Sequence, residues 1–214
     1  MQMTIALAKG RLAQVSADLL EKCGLDVSEL REETRKLVLE DKKNNVRFLL
    51  VKPTDVPVYV DHGIADVGIV GKDTLLEAGL PLYEMLDLGY AQCDVCVAGY
   101  TDPKSKLTSN ITRVATKYPR IAKMYYESKG ENIEIIKLNG SIELGPILGL
   151  SDVIVDIVES GRTLVENGLA VLETVCHVIA RLVVNRVSLK TRSAVITPLI
   201  ERIRTVLAEE GEAK

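Results

Sequence analysis

The sequence has few of the residues that mark several common classes of protein. Its 214 residues include four cysteines, two histidines, one phenylalanine and no tryptophan. Four cysteines in a chain of this length do not build the disulfide framework of a small secreted domain. The histidines offer a general base, but no G-x-S-x-G segment supplies a nucleophile elbow. A disulfide scaffold and a catalytic triad are therefore disfavoured.

Signals for membranes and nucleic acids are also missing. The N-terminus lacks the basic start, apolar centre and cleavage site of a signal peptide, and no window approaches the ~18 apolar residues of a membrane span. The net charge of -3 comes from 27 basic and 30 acidic residues, so no general attraction to polyanions follows. We expect a soluble, cytoplasmic protein that binds neither nucleic acid nor membrane.

The composition that remains is that of a globular protein. The chain is 47% hydrophobic and 27% charged, with a mean hydropathy of +0.13, and it can form one large or two small domains. Apolar runs such as Thr4–Ala8 alternate with helical patterns such as Leu12–Cys23, which predicts an α/β fold with mostly parallel sheets. We expect Thr54 to cap a short helix, and the tail from Ser188 to Glu210 to form a helix bent at Pro198.

Cys93 and Cys96 form a C-x-x-C motif. The residues around them favour a strand, on which side chains three positions apart point to opposite faces and do not converge on one metal ion. We interpret the two cysteines as a buried structural pair rather than a redox or zinc site, and we directly assign no metal ligand.

The strongest local signal for chemistry is the segment Val155–Leu164. A predicted strand ends in acidic residues, and a loop with hydroxyl groups and a glycine then opens a predicted helix. Backbone N–H groups there, with the hydroxyls of Ser160 and Thr163, suit a phosphate. Asp156 and Glu159 can accept hydrogen bonds from sugar hydroxyls or help to hold a metal. The pattern also fits an ordinary helix N-cap, and the local sequence leaves both interpretations open.

A basic turn, Lys9-Gly10-Arg11, follows the first predicted strand, where open α/β sheets bind their ligands. Two cations at a strand-to-helix turn suit a polyphosphate, because Arg11 can bind it through its planar guanidinium. Cations at a helix N-terminus are also unfavourable without an anion nearby. A solvated basic turn is the alternative. Arg35 has a weaker local claim, since it lies in the charge run Glu33–Lys36.

The glycines of Gly68–Asp73 do not form a P-loop. Asp66 stands where G-x-x-x-x-G-K needs its first glycine, and Asp73 replaces the required serine or threonine. A G-x-G-x-x-G motif is absent as well, which disfavours a dinucleotide site. We interpret these glycines as a tight strand-to-helix turn beside a ligand cleft.

Six segments, taken in order, resemble the short form of the ATP phosphoribosyltransferases, the catalytic subunits that open histidine biosynthesis. The segments are Ala8–Leu12, Arg35–Leu37, Ala65–Asp73, Ala115–Pro119, Leu138–Glu143 and Asp156–Leu164. Ser160 departs from the family, which more often has threonine there, but the hydroxyl is kept.

The resemblance implies a two-lobed α/β fold like that of type II periplasmic binding proteins, with the active site in the interlobe cleft. The first lobe would comprise residues 1–91 and 178–214, and the second residues 92–177. No C-terminal regulatory domain is expected. Regulation would come from a separate subunit that resembles histidyl-tRNA synthetase, in a hetero-oligomer that we expect to be a hetero-octamer.

The reaction implied by the resemblance transfers the 5-phosphoribosyl group of phosphoribosyl pyrophosphate (PRPP) to N1 of ATP. Its products are N1-(5-phospho-β-D-ribosyl)-ATP and pyrophosphate, and Mg²⁺ is the expected cofactor. Adenine N1 attacks the anomeric carbon from the face opposite the pyrophosphate and carries no proton. Alignment and neutralisation of the leaving group, rather than a general base, are therefore what the step requires.

The resemblance also implies roles for individual residues. Lys9, Arg11 and Arg35 would be the catalytic cations that face the pyrophosphate and the ATP phosphates. The residues expected to bind PRPP are Asp156, Glu159, Ser160, Gly161, Arg162 and Thr163. The further candidates for ATP or the cleft are Asp73, Lys117, Tyr118, Ser141 and Glu143.

Two alternative functions stay open. Solute-binding proteins share the implied fold and close on a ligand without chemistry. Type I phosphoribosyltransferases carry an acidic loop with threonine and glycine that is similar to residues 155–164. Their acidic residues adjoin one another, however, whereas Ile157 and Val158 separate Asp156 from Glu159 here.

Overall fold

The computed structural model describes residues 2–32, 35–102 and 111–212. The chain divides into two compact units: unit 1 comprises Met1–Ala91 and Ile179–Lys214, and unit 2 comprises Gln92–Val178. The expected lobe boundary near residue 178 differs by one residue, because Val178 completes the last strand of unit 2.

Unit 1 is built on a six-stranded mixed sheet. Its strands are β1 (Met3–Ala8), β2 (Val38–Asp41), β3 (Val46–Val51), β4 (Val67–Gly71), β5 (Tyr83–Asp87) and β11 (Ala180–Val184), in the order β2-β3-β1-β4-β11-β5. β1 pairs in parallel with β3 and β4, whereas β2–β3, β4–β11 and β5–β11 are antiparallel. All six residues of β1 are buried, as expected for a central strand with both faces covered.

Helices cover the unit 1 sheet and complete its core. They are α1 (Arg11–Lys22), α2 (Ser28–Arg31), α3 (Val56–Asp61), α4 (Lys72–Ala78), α8 (Arg186–Thr191) and α9 (Ser193–Glu212). Leu20 of α1 and Leu199 of α9 are fully buried in one cluster with Phe48, Ile69 and Leu182 of the sheet. This core fixes the ends of the strands at which the candidate residues of unit 1 lie.

Unit 2 contains a five-stranded mixed sheet. Its strands are β6 (Cys93–Gly99), β7 (Thr112–Thr116), β8 (Ile133–Lys137), β9 (Val153–Val158) and β10 (Ala170–Val178), in the order β10-β6-β9-β7-β8. β7 pairs in parallel with β8 and β9, and β6 is antiparallel to β9 and β10. The helices of this unit are α5 (Pro119–Ser128), α6 (Leu144–Ile147) and α7 (Arg162–Glu166).

The expectation of mostly parallel sheets is wrong, because both sheets are mixed. A parallel pair needs a crossover connection, usually a helix, whereas antiparallel pairs do not. β2 joins β3 through a short turn. β5, β6, β10 and β11 are the strands by which the chain leaves unit 1 and returns to it, and all four pair antiparallel with their neighbours.

The C-terminal tail forms two helices rather than one. The side chain of Asn185 accepts hydrogen bonds from the N–H groups of Val187 and Ser188 and so starts α8, which ends before Arg192. α9 then begins at Ser193 and contains Pro198. The predicted bend at this proline stays a prediction.

Thr54 does not cap a helix. A 3-10 turn already begins at Pro53, so Thr54 lies inside that turn, and its hydroxyl is 3.3 Å from Oδ1 of Asp55. α3 follows directly, with Asp55 at its N-cap position and no side-chain capping bond.

Candidate active site

A pocket of about 280 Å³ opens in unit 2 where β9 ends. Cys96 and Glu143 line it together with Ile154 and the segment 156–164. The structure therefore brings all six residues expected to bind PRPP into one pocket. Glu143, expected at the ATP site or the cleft, lies in the same pocket.

The loop between β9 and α7 has a backbone that favours glycine. Gly161 has φ +71°, in the left-handed region, and it is the N-cap residue of α7 without a side-chain capping bond. Oγ of Ser160 lies 3.5 Å from the N of Arg162, longer than an ordinary N–H···O hydrogen bond. This long contact is the only side-chain cap of α7 within the described residues, and Ser160 and Thr163 are exposed, so their hydroxyls are accessible to a phosphate as well as to the helix end.

The pocket combines carboxylates with hydrogen-bond donors. Asp156 and Glu143 are half-buried and Glu159 is exposed. Oδ1 of Asp156 accepts the N–H of Ile157 at 2.8 Å, which orients this carboxylate in the last part of β9. Carboxylates accept hydrogen bonds from sugar hydroxyls, and N–H and O–H groups donate to phosphate. A phosphorylated sugar matches this combination.

Arg162 forms an exposed ion pair along its own helix. Its Nε donates to Oε1 of Glu166 at 2.7 Å, one turn further along α7, and the Arg162 side chain is 83% exposed. Such an exposed pair is weak, so Arg162 stays a candidate for PRPP through both its side chain and its backbone N–H.

Cations lie at the end of the unit 1 sheet where β1 and β3 terminate. Lys9 follows β1, and its N donates to the O of Val51, the last residue of β3, at 2.8 Å. Gly10 has φ +97° and lets the chain turn into α1, whose first residue is the exposed Arg11. Lys9 and Arg11 thus lie together at the carboxyl end of β1, where the sequence placed them.

Arg35 lies at the same end of the sheet, but it precedes a strand instead of following one. β2 is antiparallel to β3, so the start of β2 lies beside the end of β3, and the N of Leu50 donates to the O of Leu37 at 2.9 Å. Arg35 is exposed two residues before Leu37. Glu33, in the same charge run, lies outside the described residues.

Lys52 is a further cation at this end of the sheet, and the sequence analysis did not single it out. It follows β3 directly and is exposed. Since β3 lies between β2 and β1, Lys52 falls between Arg35 and the Lys9–Arg11 turn. Lys9 is recognised in the sequence as a cation directly after a predicted strand, and the same criterion would have identified Lys52.

Asp73 is folded back onto its own turn. It is 8% exposed, and the hydroxyl of Thr74 donates to its Oδ2 at 3.1 Å. A Cβ atom at Gly71 would lie 2.1 Å from Oδ1 of Asp73, so a larger residue there would displace this carboxylate. The carboxylate lies in the first turn of α4, an arrangement that favours a structural role for Asp73.

The remaining cleft candidates lie after β7 and β8. Lys117 and Ser141 are exposed, whereas Tyr118 is 7% exposed. A ring buried to that extent offers little surface to a ligand, so Tyr118 belongs to the packing beneath the site. Neither Lys117 nor Ser141 lines the pocket that holds Glu143.

The cysteines lie on a strand as predicted, but they are not equally buried. Cys96 is buried and lines the pocket, whereas Cys93 is half-buried at the start of β6. Burial raises the pKa of the Cys96 thiol, so this group stays protonated near neutral pH. Within the described ranges, no group of three or more histidine, cysteine, aspartate or glutamate side chains could hold a metal ion. No helix there is long and apolar enough to cross a membrane.

Comparison with known proteins identifies the family. The model of the ATP phosphoribosyltransferase family matches residues 52–205. A curated ATP phosphoribosyltransferase of Ruminiclostridium cellulolyticum is 55% identical over 98% of this chain and 99% of its own length. One from Caldicellulosiruptor bescii is 53% identical over 97% of this chain and 100% of its own length. The chain belongs to the ATP phosphoribosyltransferase family.

Solved structures agree with this membership and with the expected fold class. The ATP phosphoribosyltransferase HisG:HisZ complex of Thermotoga maritima contains a chain with a TM-score of 0.84 and 36% identity, covering 97% of this chain and 100% of that one. The VFT2 domain of Bordetella pertussis BvgS has a TM-score of 0.57 at 12% identity, over 97% of this chain and 92% of that one, which bears on the fold alone. The predicted two-lobed α/β fold of the type II periplasmic-binding-protein class is confirmed.

ATP phosphoribosyltransferases transfer the 5-phosphoribosyl group of PRPP to N1 of ATP, giving N1-(5-phospho-β-D-ribosyl)-ATP and pyrophosphate, in the first step of histidine biosynthesis. They are pentosyltransferases, and the family uses Mg²⁺. The predicted reaction is confirmed at the level of the family. This membership decides against the solute-binding and type I phosphoribosyltransferase alternatives.

Proposed function

We propose that this chain catalyses the family reaction with PRPP bound in the pocket of unit 2. The observation that carries the proposal is that Asp156 and every residue from Glu159 to Thr163 line one pocket. The 5-phosphate would accept hydrogen bonds from backbone N–H groups and hydroxyls of the loop, and the ribose hydroxyls would donate to Asp156 and Glu159. Glu143 shares this pocket, so we assign it to PRPP rather than to ATP.

The cations of unit 1 would bind the pyrophosphate and the ATP phosphates. Lys9, Arg11 and Arg35 keep the catalytic role expected for them, and Lys52 joins them because it lies at the same end of the sheet. Charge develops on the pyrophosphate as its bond to the anomeric carbon breaks. Fixed cations stabilise that charge without reorganisation, which is the largest contribution to many enzymatic rates.

The residues present fit Mg²⁺. This ion prefers oxygen ligands and is usually held by one or two carboxylates together with substrate phosphates rather than by a complete protein cage. Asp156 and Glu159 supply such oxygens on the pocket wall. Bound there, the ion would add positive charge next to the diphosphate. The chain's own residues orient the sugar and its phosphate.

A regulatory partner and a cellular location complete the proposal. The Thermotoga maritima relative is part of a HisG:HisZ complex, which supports assembly of this chain with a regulatory subunit that resembles histidyl-tRNA synthetase. We propose that the chain acts in the cytoplasm. Histidine should then inhibit the mixture of both subunits and leave the isolated chain active, and inhibition of the isolated chain would contradict this.

Substitution at the pocket wall tests the placement of PRPP. Glu159→Gln keeps the shape of the side chain and removes its charge. A hydrogen bond to a charged group contributes about 1.5–3 kcal/mol, so we expect kcat/KM for PRPP to fall about 10- to 100-fold. Glu127→Gln makes the same change in α5, outside the pocket, where Glu127 is 62% exposed, and should have little effect. Phosphoribosyl-ATP is measured by mass spectrometry after incubation with ATP, PRPP and Mg²⁺. Equal effects of the two substitutions would refute the placement.

A further inference from the structure

Three parallel strands of unit 2 lie side by side, and one buried residue at the end of the middle strand bonds to both of its neighbours. The strands are β8, β7 and β9, in that spatial order. Thr116 is the last residue of β7 and is fully buried. Its hydroxyl donates to the O of Val155 on β9 at 2.6 Å. Its backbone O accepts the N–H of Leu138, directly after β8, at 3.0 Å.

The hydroxyl of Thr116 also holds the chain that follows β7. Its Oγ1 accepts the N–H of Tyr118 at 2.8 Å, while the hydroxyl proton is given to Val155. The same hydroxyl therefore donates one hydrogen bond and accepts another, and both partners are buried backbone groups. A buried backbone group without a partner is unfavourable, so these bonds fix the relative position of the two segments.

The position of Thr116 in the sheet explains why a hydroxyl is needed there. β7 and β9 pair at three positions, the last being Thr116 with Val155. β9 continues through Asp156, Ile157 and Val158 in register with β6, while β7 turns away into α5. In a longer parallel ladder, a backbone N–H of the next residues would bond to the Val155 carbonyl. The threonine hydroxyl replaces that donor and lets the two strands separate.

Pocket residues follow two of the segments that Thr116 contacts. Asp156 follows Val155, and the segment after Leu138 leads to Glu143. We propose that Thr116 is a positioning residue for PRPP: its hydroxyl sets the distance between the end of β7 and Val155 of β9, and thereby the position of the next residue, Asp156. This inference rests on the proposed placement of PRPP in the unit 2 pocket.

Two substitutions separate the hydroxyl from the shape of the side chain. Thr116→Val keeps the β-branched form and removes the hydroxyl, and Thr116→Ser keeps the hydroxyl. A misplacement of about 1 Å costs up to ~10²-fold in rate, so we expect Thr116→Val to lower kcat/KM for PRPP about 10- to 100-fold. Most of that loss should appear as a higher KM for PRPP, with the KM for ATP much less changed. Thr116→Ser should stay within about threefold of the parent.

A matched control comes from unit 1, where the buried hydroxyl of Ser188 donates to Asp66 at 2.7 Å. Ser188→Ala removes one buried hydrogen bond and should lower the melting temperature without changing the KM for PRPP. If Thr116→Val does not fold, Thr116→Ala leaves room for a water molecule between Val155 and Tyr118. It should raise the KM for PRPP in the same direction.

Kinetics and thermal unfolding are measured on the full chain with its regulatory subunit. A folded Thr116→Val or Thr116→Ala variant with the parent KM for PRPP would overturn the inference. So would a loss in Thr116→Ser as large as in Thr116→Val, or an equal change in KM in Ser188→Ala. Failure of the proposed PRPP placement is recognised separately, because Glu159→Gln would then leave kcat/KM for PRPP unchanged.

Discussion

Replacing Arg192 by methionine should destabilise unit 1 far more than removal of an exposed ion pair. Arg192 follows α8, and its Nη1 lies 3.0 and 2.9 Å from the two carboxylate oxygens of Asp66. Asp66 is 2% exposed and also accepts the N–H of Thr4 and the hydroxyl of Ser188. The network thereby ties the returning C-terminal chain to the starts of β1 and β4.

The size of the effect follows from the burial of the two partners. Removing one partner of a buried ion pair costs about 3–5 kcal/mol, and a hydrogen bond to a charged group contributes about 1.5–3 kcal/mol. Because 37% of the Arg192 side chain is exposed, water screens the pair. Asp66 also retains two other donors. We therefore expect Arg192→Met to lower the free energy of unfolding by about 2–3 kcal/mol.

The assay is thermal and urea unfolding at pH 7, compared with Arg204→Met. Arg204 pairs with Glu201 three residues earlier on α9, and both side chains are more than half exposed, so its removal should cost under about 0.5 kcal/mol. For a chain of this size, Arg192→Met should lower the melting temperature by about 5–10 °C. A double-mutant cycle with Asp66→Asn should give a coupling energy above about 1 kcal/mol. Equal shifts in the two arginine variants would refute the reasoning.

Three other substitutions test separate parts of the structure. Lys52→Ala should lower kcat/KM about 10- to 100-fold in the phosphoribosyl-ATP assay. Lys43 lies in the turn at the opposite end of β3, so Lys43→Ala should leave kcat/KM unchanged. Equal activities of the two variants would remove Lys52 from the site. Burial acts to raise the pKa of Asp41, but hydrogen bonds from backbone N–H groups outweigh it and lower that pKa. The charged form therefore stabilises the fold above about pH 4, and this contribution is lost as the pH falls through the lowered value. Urea unfolding should show a deficit of Asp41→Asn at pH 7 that shrinks by pH 3, and a constant deficit would contradict this. Gly68→Ala would place a Cβ 2.7 and 2.9 Å from two valines of α3, so it should lower the free energy of unfolding by about 1–3 kcal/mol. A Cβ at Gly140 would have nothing within 4 Å, so Gly140→Ala should be nearly neutral in the same measurement.

Much of the secondary structure could be predicted because it is buried on one face. The apolar spacing around Leu19 and Leu20 predicts α1, and the runs on either side of residues 40–45 predict the β2–β3 hairpin. β5 and β10 are not predicted. Both lie at the edges of their sheets and expose much of their surface, and β10 pairs with β6 through two shifts of register. Such shifts break the alternation of apolar and polar residues from which a strand is recognised.

Some residues of the candidate site can be predicted from a continuous sequence motif, whereas others come together only in the folded sheets. Residues 156 and 159–163 are nearly contiguous, so a single motif suffices to place them in one pocket. Glu143 and Lys52 reach their positions only through the topology of the sheets. Glu143 follows β8 and lines a pocket at the end of β9, although β7 lies between those strands. A sequence pattern contains no such spatial order.

The two sheets share an arrangement of three parallel strands, and each arrangement presents a surface of different chemistry at the carboxyl ends of its strands. In each unit one parallel strand, β1 or β7, lies between the two parallel strands that follow it in the chain, β3 and β4 or β8 and β9. The carboxyl ends of three parallel strands therefore lie side by side in both units, and the residues just beyond them give each surface its chemical character. In unit 1 these residues include Lys9, Arg11 and Lys52, which suit polyphosphate. In unit 2 they include carboxylates and a loop of donors, which suit a phosphorylated sugar. Attack by an unprotonated adenine nitrogen needs alignment of the sugar and neutralisation of the leaving group rather than removal of a proton, and these two kinds of surface suit those two requirements.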